Sequence, residues 1–128
     1  MKCLFLLGFV IPIICFSNHK EKCYQNYFAK QVNGSAEVLM PDNTRCDILT
    51  EDLAIEVDFA YKWAEAIGQS LHYAKMMNRQ AAIIIILKKK NDHLHMTKLL
   101  RVISDYKLPI KVFSFKTKDF NGITECCL

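Results

Sequence analysis

Asp47 stands nine residues before a Glu56-Val57-Asp58 triplet. Oxygen donors grouped in this way are the ligands that hard divalent cations prefer. Two short apolar runs with strand character, residues 46–49 and 54–59, flank Thr50-Glu51-Asp52-Leu53. A hairpin with an even-length loop centred on Glu51 and Asp52 pairs residues whose numbers add to 103, which sets Asp47 directly opposite Glu56. The β carbons of such a pair lie about 4.5–5.5 Å apart, and like charges there are destabilising unless something offsets them. A bound cation is the simplest offset. By the two-residue period of a strand, Asp47, Glu56 and Asp58 share one face, while Ile48, Ile55, Val57 and Phe59 share the other.

A second group follows on a helix. Residues 62–78 carry Trp63, Ile67, Leu71, Ala74 and Met77 as an inward stripe, and Lys62, Gln69 and Tyr73 fall together on its flank. Such a flank could brace or extend an acidic site, or be an ordinary helix surface. Arg45 stands opposite Asp58 by the same pairing sum, as a cross-strand ion pair.

The elements that position these residues follow from period and turn chemistry. Residues 19–31 place Cys23, Tyr27 and Phe28 at helical spacing, and Asn33-Gly34-Ser35 ends that helix. Residues 36–40 alternate as a strand, with Pro41-Asp42-Asn43 as the turn after it. Residues 82–87 form an unbroken apolar run, the mark of a strand buried on both faces. Asp92 is placed to cap a helix over residues 93–106, and Pro109 leads into a last strand at 110–115. The order is α-β-β-β-α-β-α-β, an α/β fold. A competing pattern exists, because Leu53, Val57, Ala60, Ala64, Ile67, Leu71 and Ala74 also suit one helix over residues 51–78. That helix would abolish the hairpin site, but Ile55, Val57 and Phe59 favour a strand.

The chain has 128 residues and a net charge of +4, the size of one domain. Residues 1–17 read as a signal peptide: Lys2 supplies the positive start, residues 3–16 are almost wholly apolar, and Cys15-Phe16-Ser17 offers a cleavage point. A buried first strand or an interfacial anchor is the alternative. The run is too short for a membrane span, so the reading is an exported protein, secreted or periplasmic, with residues 18–128 as one mature domain. Losing Lys2 leaves 16 basic against 13 acidic residues, or +3, which permits a nucleic-acid partner without demanding one. Lys88-Lys89-Lys90 with Lys111, Lys116 and Lys118 could contact phosphates if one face gathers them, and are otherwise solvated ends. Export leaves Cys23, Cys46, Cys126 and Cys127, which allow three pairings. Strand parity turns Cys46 away from Asp47 toward the first helix, so Cys23–Cys46 is the expected bridge. The cysteine spacing fits no structural zinc motif.

Over residues 37–87, the order of elements together with Asp47, Glu56-Val57-Asp58 and Gln69-x-x-x-Tyr73 resembles the PD-(D/E)XK nuclease superfamily. Its restriction-endonuclease-like fold has an αβββαβ core, a central mixed sheet flanked by helices. The resemblance implies that Asp47 and Glu56 hold Mg²⁺ or Mn²⁺, helped by the Val57 carbonyl. Asp58 would be a third ligand, and Glu37 an extra one reached from the first strand. Gln69 and Tyr73 match the helical motif found in nuclease domains of recombination helicase-nucleases, where it implies bracing of the site or contact with DNA. One position departs from the pattern: the family lysine is Asp58 here, and Lys62, one helical turn on, is the ammonium that could replace it.

What this implies is an exported, metal-dependent nuclease-like protein that hydrolyses DNA phosphodiester bonds. The departure at Asp58 supports the alternative of a catalytically inactive nuclease-fold module for binding or interaction. A small structural protein with a surface acidic pair is the plainest reading.

Overall fold

The computed structural model describes residues 10–119, with side chains over 20–118. The side chains of the expected leader, residues 1–17, and the cysteines at 126 and 127 lie outside the described residues. Helix α1 (Val10–Gln31) is followed by strands β1 (Ser35–Leu39), β2 (Arg45–Leu49) and β3 (Leu53–Phe59), helix α2 (Trp63–Met77), β4 (Gln80–Leu87), α3 (Asp92–Asp105) and β5 (Ile110–Lys116). Short 3-10 turns occupy Ala60–Lys62 and Thr117–Asp119. The expected order of elements holds, and the competing single helix over 51–78 is excluded by β3.

The five strands form one mixed sheet in chain order. β1 and β3 run antiparallel to β2, and β3, β4 and β5 run parallel to one another. Helices flank the sheet, as an α/β fold requires. One cluster sets Tyr24 and Phe28 of α1 against Ile48, Ile55, Val57, Ala82, Ile84 and Ile86. A second joins Ala60 and Ala66 to Ile83, Ile85 and Leu99. The alternation of Ile84 and Ile86 with Ile83 and Ile85 shows why β4 is apolar throughout: both of its faces are covered.

Turn chemistry sets the boundaries. Asn33 adopts the left-handed conformation after α1 (φ 53°), and the Gly34 N–H donates to the Ala29 carbonyl at 2.8 Å, the arrangement of a helix C-terminal cap. Gly34 is needed for another reason, since a β carbon there would lie 2.8 Å from Ile48 Cγ2. Between β1 and β2, Asp42 Oδ1 accepts from the Thr44 backbone N–H and hydroxyl. Between β2 and β3, Thr50 Oγ1 accepts the Leu53 N–H at 2.9 Å.

Four local expectations change. Helix α1 begins at Val10 rather than residue 19. Asp92 opens α3 instead of capping it by its side chain; Asn91 is the cap residue, and the Asp92 carboxylate is engaged elsewhere. Helix α2 buries Ala66, Ser70 and Tyr73 most deeply, while Trp63, Ile67, Leu71, Ala74 and Met77 are half-buried. Small Ala66 and Ser70 let the helix axis come close to the sheet, so its contact line runs through residues that hydrophobicity alone does not mark. Finally, Cys46 is a free, buried thiol whereas Cys23 is disulfide-bonded, so the Cys23–Cys46 bridge is wrong. The parity argument fails because β1 and β2 roll at Glu37 and Asp47. Ala36 and Ile48 pack with the α1 cluster, but Val38 and Cys46, two residues away on each strand, pack with Met40, Ala54 and Tyr73.

Candidate active site

The hairpin register pairs Ile48 with Ile55 and Leu49 with Ala54, the sum of 103. The ladder stops there, at the step that would pair Asp47 with Glu56. On the other side of β2, pairing runs through Ala36–Ile48 and Val38–Cys46 but skips Glu37 and Asp47. Glu37 has a left-handed backbone (φ 51°), which few residues other than glycine adopt in a strand. Asp47 therefore sits where both ladders open, and its Oδ2 accepts the Val57 N–H at 2.9 Å, in the role a carbonyl would take in a regular sheet.

The opening brings Asp47 and Glu56 into direct hydrogen-bonded contact. Glu56 is 2% exposed. Burial, then the charges of Asp47 and Asp58, push its carboxyl far above the usual carboxylate range. Burial also raises Asp47, opposed by its hydrogen bonds from Val57 and Glu56. Two carboxyls in contact cannot both ionise cheaply, so the pair keeps one proton at neutral pH. Tyr73 closes the site from α2. Its hydroxyl faces Glu56, and burial followed by the Glu56 and Asp47 charges raises its pKa. Gln69 Nε2 donates to the Tyr73 hydroxyl at 3.4 Å.

Asp58 and Lys62 form a second group. Asp58 is 1% exposed, and burial pushes its carboxyl up to about 7 against the pull of the Lys62 charge. Lys62 Nζ lies 3.5 Å from Asp58 Oδ1 and 2.9 Å from Glu21 Oε2 on α1. Burial lowers the Lys62 pKa, but the Glu21 hydrogen bond and the charges of Asp58 and Glu21 more than reverse this. Lys62 is thus a fixed cation. Arg45 is not opposite Asp58; its guanidinium donates to the Glu37 carbonyl at 3.3 Å, because the ladder ends before that register position.

Of the expected residues, Asp47, Glu56, Tyr73 and Gln69 come together, and Asp58 with Lys62 adjoins them. Glu37 is turned to another partner, Lys22, at 3.1 Å. A polar cleft of about 310 Å³ opens there, lined by Glu21, Lys22, Gln25 and Glu37. Glu21 and Ser70 were not anticipated. The Glu21–Lys62 contact spans 41 residues, and no local pattern signals it. Ser70 is fully buried and donates to the Ile67 carbonyl at 3.0 Å, a packing role within α2.

The residues fit a divalent cation in one specific sense. Glu56 Oε2 is a buried acceptor without a hydrogen-bond partner, and Asp58 Oδ1 has only the Lys62 ammonium, at 3.5 Å, whereas buried polar atoms are ordinarily satisfied. Among the described residues no set of three or more His, Cys, Asp or Glu side chains is arranged around one ion position. The pair Asp47–Glu56 is nevertheless the donor set Mg²⁺ typically uses, one or two carboxylates completed by waters and substrate phosphate.

Compared with protein-family models, curated proteins and solved structures, the chain matches none.

Proposed function

We propose that this protein is a metal-dependent nuclease of the PD-(D/E)XK type acting on DNA, with Asp47 and Glu56 as the ligands of Mg²⁺ or Mn²⁺. The observation that carries this reading is the buried Asp47–Glu56 contact, held where two β ladders open and leaving Glu56 Oε2 unsatisfied. A fold that places two carboxyls in contact in its interior accepts a cost of several kcal/mol, and a cation removes it. The run of a helix, a three-stranded meander, a helix and a parallel strand, α1 to β4, supports the restriction-endonuclease-like assignment.

Each neighbouring residue then has a task. Tyr73, steadied by Gln69, orients the Glu56 carboxyl. Lys62, locked by Glu21, holds positive charge beside Asp58, where phosphate charge would need stabilising. Asp58 lies next to the pair and, near neutral pH, gains or loses a proton. A cation bound there would lower the pKa of a coordinated water and polarise a phosphoryl oxygen. The Cys23 disulfide supports the exported reading, because disulfides persist in oxidising compartments.

The test is incubation of the purified protein with single- and double-stranded DNA in Mg²⁺, Mn²⁺ or EDTA. Cleavage is expected with the cations only, and to be lost in Glu56→Gln and Asp47→Asn at unchanged circular dichroism. Absence of cleavage with both cations refutes the enzyme. One observation favours a second reading, a non-catalytic module: the Lys62 ammonium is neutralised by two carboxylates. Calorimetric Mn²⁺ binding lost in Glu56→Gln, without turnover, would select it.

A further inference from the structure

The parallel register of β4 and β5 sets Leu87 beside Lys116. Lys88, Lys89 and Lys90 follow from β4, and Lys118 follows in the 3-10 turn after β5. The five lysines line one cleft of about 420 Å³, with His93 from the first turn of α3. This is the carboxyl-end crevice of a parallel sheet, the usual place for ligands in α/β folds. Among the described residues none of these five ammonium groups has a carboxylate partner. The acid that follows the Lys88–Lys90 turn is spent on the backbone: Asp92, 7% exposed, accepts the N–H groups of Lys88 and Lys89 at 2.7 and 2.8 Å through Oδ2. Its charge pins the lysine turn in shape while the side chains stay available. Lys111, at the far end of β5, is not part of the cleft.

One contact reaches from the cleft toward the strand end that carries the acidic site. Lys88 Nζ lies 5.9 Å from the centre of the Phe59 ring, and Phe59 directly follows Asp58. Phe59 also stacks on Tyr61, with ring centres 6.2 Å apart and planes 5° from parallel. Tyr61, next to Lys62, is 58% exposed, a large aromatic surface that the fold leaves uncovered.

We infer that the lysine cleft takes the phosphate backbone of single-stranded nucleic acid, with Tyr61 as the ring on which one of its bases stacks. Ammonium groups without carboxylate partners match backbone phosphates, in one strand or two. An exposed ring backed by a second aromatic offers a stacking face that only an unpaired base can reach. A cleft of this size, in the range of small-ligand pockets, takes a short stretch of one strand. The inference names the substrate form for the proposed nuclease and rests on that reading for the fate of the strand, but not for its binding.

The experiment measures binding in EDTA, by fluorescence anisotropy, of a labelled twelve-nucleotide thymidine oligomer and of a duplex with the same number of phosphates. The single strand is expected to bind at least tenfold tighter. In a double variant, Lys116→Ala with Lys118→Ala, the slope of log K against log salt should fall by about 1.4, from about 0.7 per phosphate contact on single strands. Tyr61→Ala should weaken single-strand binding about tenfold with duplex binding unchanged, consistent with alanine substitution at stacking platforms. Lys111→Ala should change neither. Equal affinity for duplex, an unchanged slope in the double variant, or competition by thymidine monophosphate as strong as by the oligomer would overturn the inference. The two proposals fail separately. Lysine-dependent single-strand binding without metal-dependent cleavage defeats only the nuclease, whereas cleavage with unaltered binding in the lysine variants defeats only the groove.

Discussion

Acidification should stabilise the metal-free protein between pH 5 and pH 7, and Asp58 is where the size of the effect can be worked out. Its carboxyl moves from the ordinary 3.8 to about 7 on folding, burial being the main cause, and its side chain is only 2% exposed, so solvent screening is slight. Between those values the folded protein holds a proton that the unfolded chain has released. Unfolding free energy therefore falls as pH rises; the contribution is fully present below about 3.8 and is lost as pH passes through about 7. At about 1.4 kcal/mol per pKa unit, the loss from pH 5 to pH 7 is about 2 kcal/mol. A domain of this size should lose roughly 10 °C in Tm over the interval. The Asp47–Glu56 pair, also raised on folding, adds to the slope with the same sign. Thermal melts followed by circular dichroism in EDTA would measure it. Asp58→Asn should flatten the slope by about 2 kcal/mol over these two pH units. Mn²⁺ at a hundredfold over its Kd should restore about 2.7 kcal/mol at pH 7 in the wild type and nothing in Glu56→Gln. A metal-free Tm that is level or rises from pH 5 to 7, or an Asp58→Asn variant with the full wild-type slope, would show that these carboxyls are not buried as described.

Other consequences can be checked on the same protein. Gly34→Ala puts a β carbon 2.8 Å from Ile48 Cγ2 and 3.0 Å from the Leu49 carbonyl oxygen, so urea titration should show a loss of about 1–3 kcal/mol from overpacking. Tyr73→Phe removes the hydroxyl between Glu56 and Gln69 and should cost about 1 kcal/mol in the same titration. Burial pushes the Cys46 thiol up to about 11, so a thiol reagent at pH 8 should label Cys46 only as fast as the protein unfolds; rapid labelling under native conditions would contradict its burial.

The legible and illegible parts of the site differ in physical kind. The hairpin could be read because a turn centre and a two-residue period are local, and together they place Asp47 against Glu56. β4 could be read because burial on both faces leaves an unbroken apolar run. The face of Cys46 could not, because parity assumes regular ladders, and these open at Glu37 and Asp47 so that same-parity neighbours pack in different clusters. The contact line of α2 was hidden for a different reason: closeness to the sheet selects small or hydrogen-bonded residues, Ala66, Ser70 and Tyr73, over the bulky ones that define a stripe. The Glu21–Lys62 bond joins two elements whose relation only the folded chain specifies.

The same irregularity bears on the lysine that the proposed nuclease reading calls for at position 58. Under the proposed nuclease reading, a regular strand with Asp58 where that reading calls for a lysine would add a third negative charge beside Asp47 and Glu56 and leave the site without a cation. Here the turn at Ala60–Lys62 brings Lys62 back to within 3.5 Å of Asp58, so the ammonium has a place beside the carboxylates despite the changed position. Glu21 fixes it there at 2.9 Å, and releasing that bond separates catalysis from structure. Glu21→Gln keeps a hydrogen-bonding side chain but removes one of the two negative charges on Lys62. If Lys62 serves phosphate, its charge becomes more available and metal-dependent cleavage should rise or hold; if the Glu21–Lys62–Asp58 chain is only a brace, stability falls and cleavage falls with it. Cleavage assayed beside urea stability in this one variant distinguishes an ammonium that acts on substrate from one that merely ties α1 to the sheet.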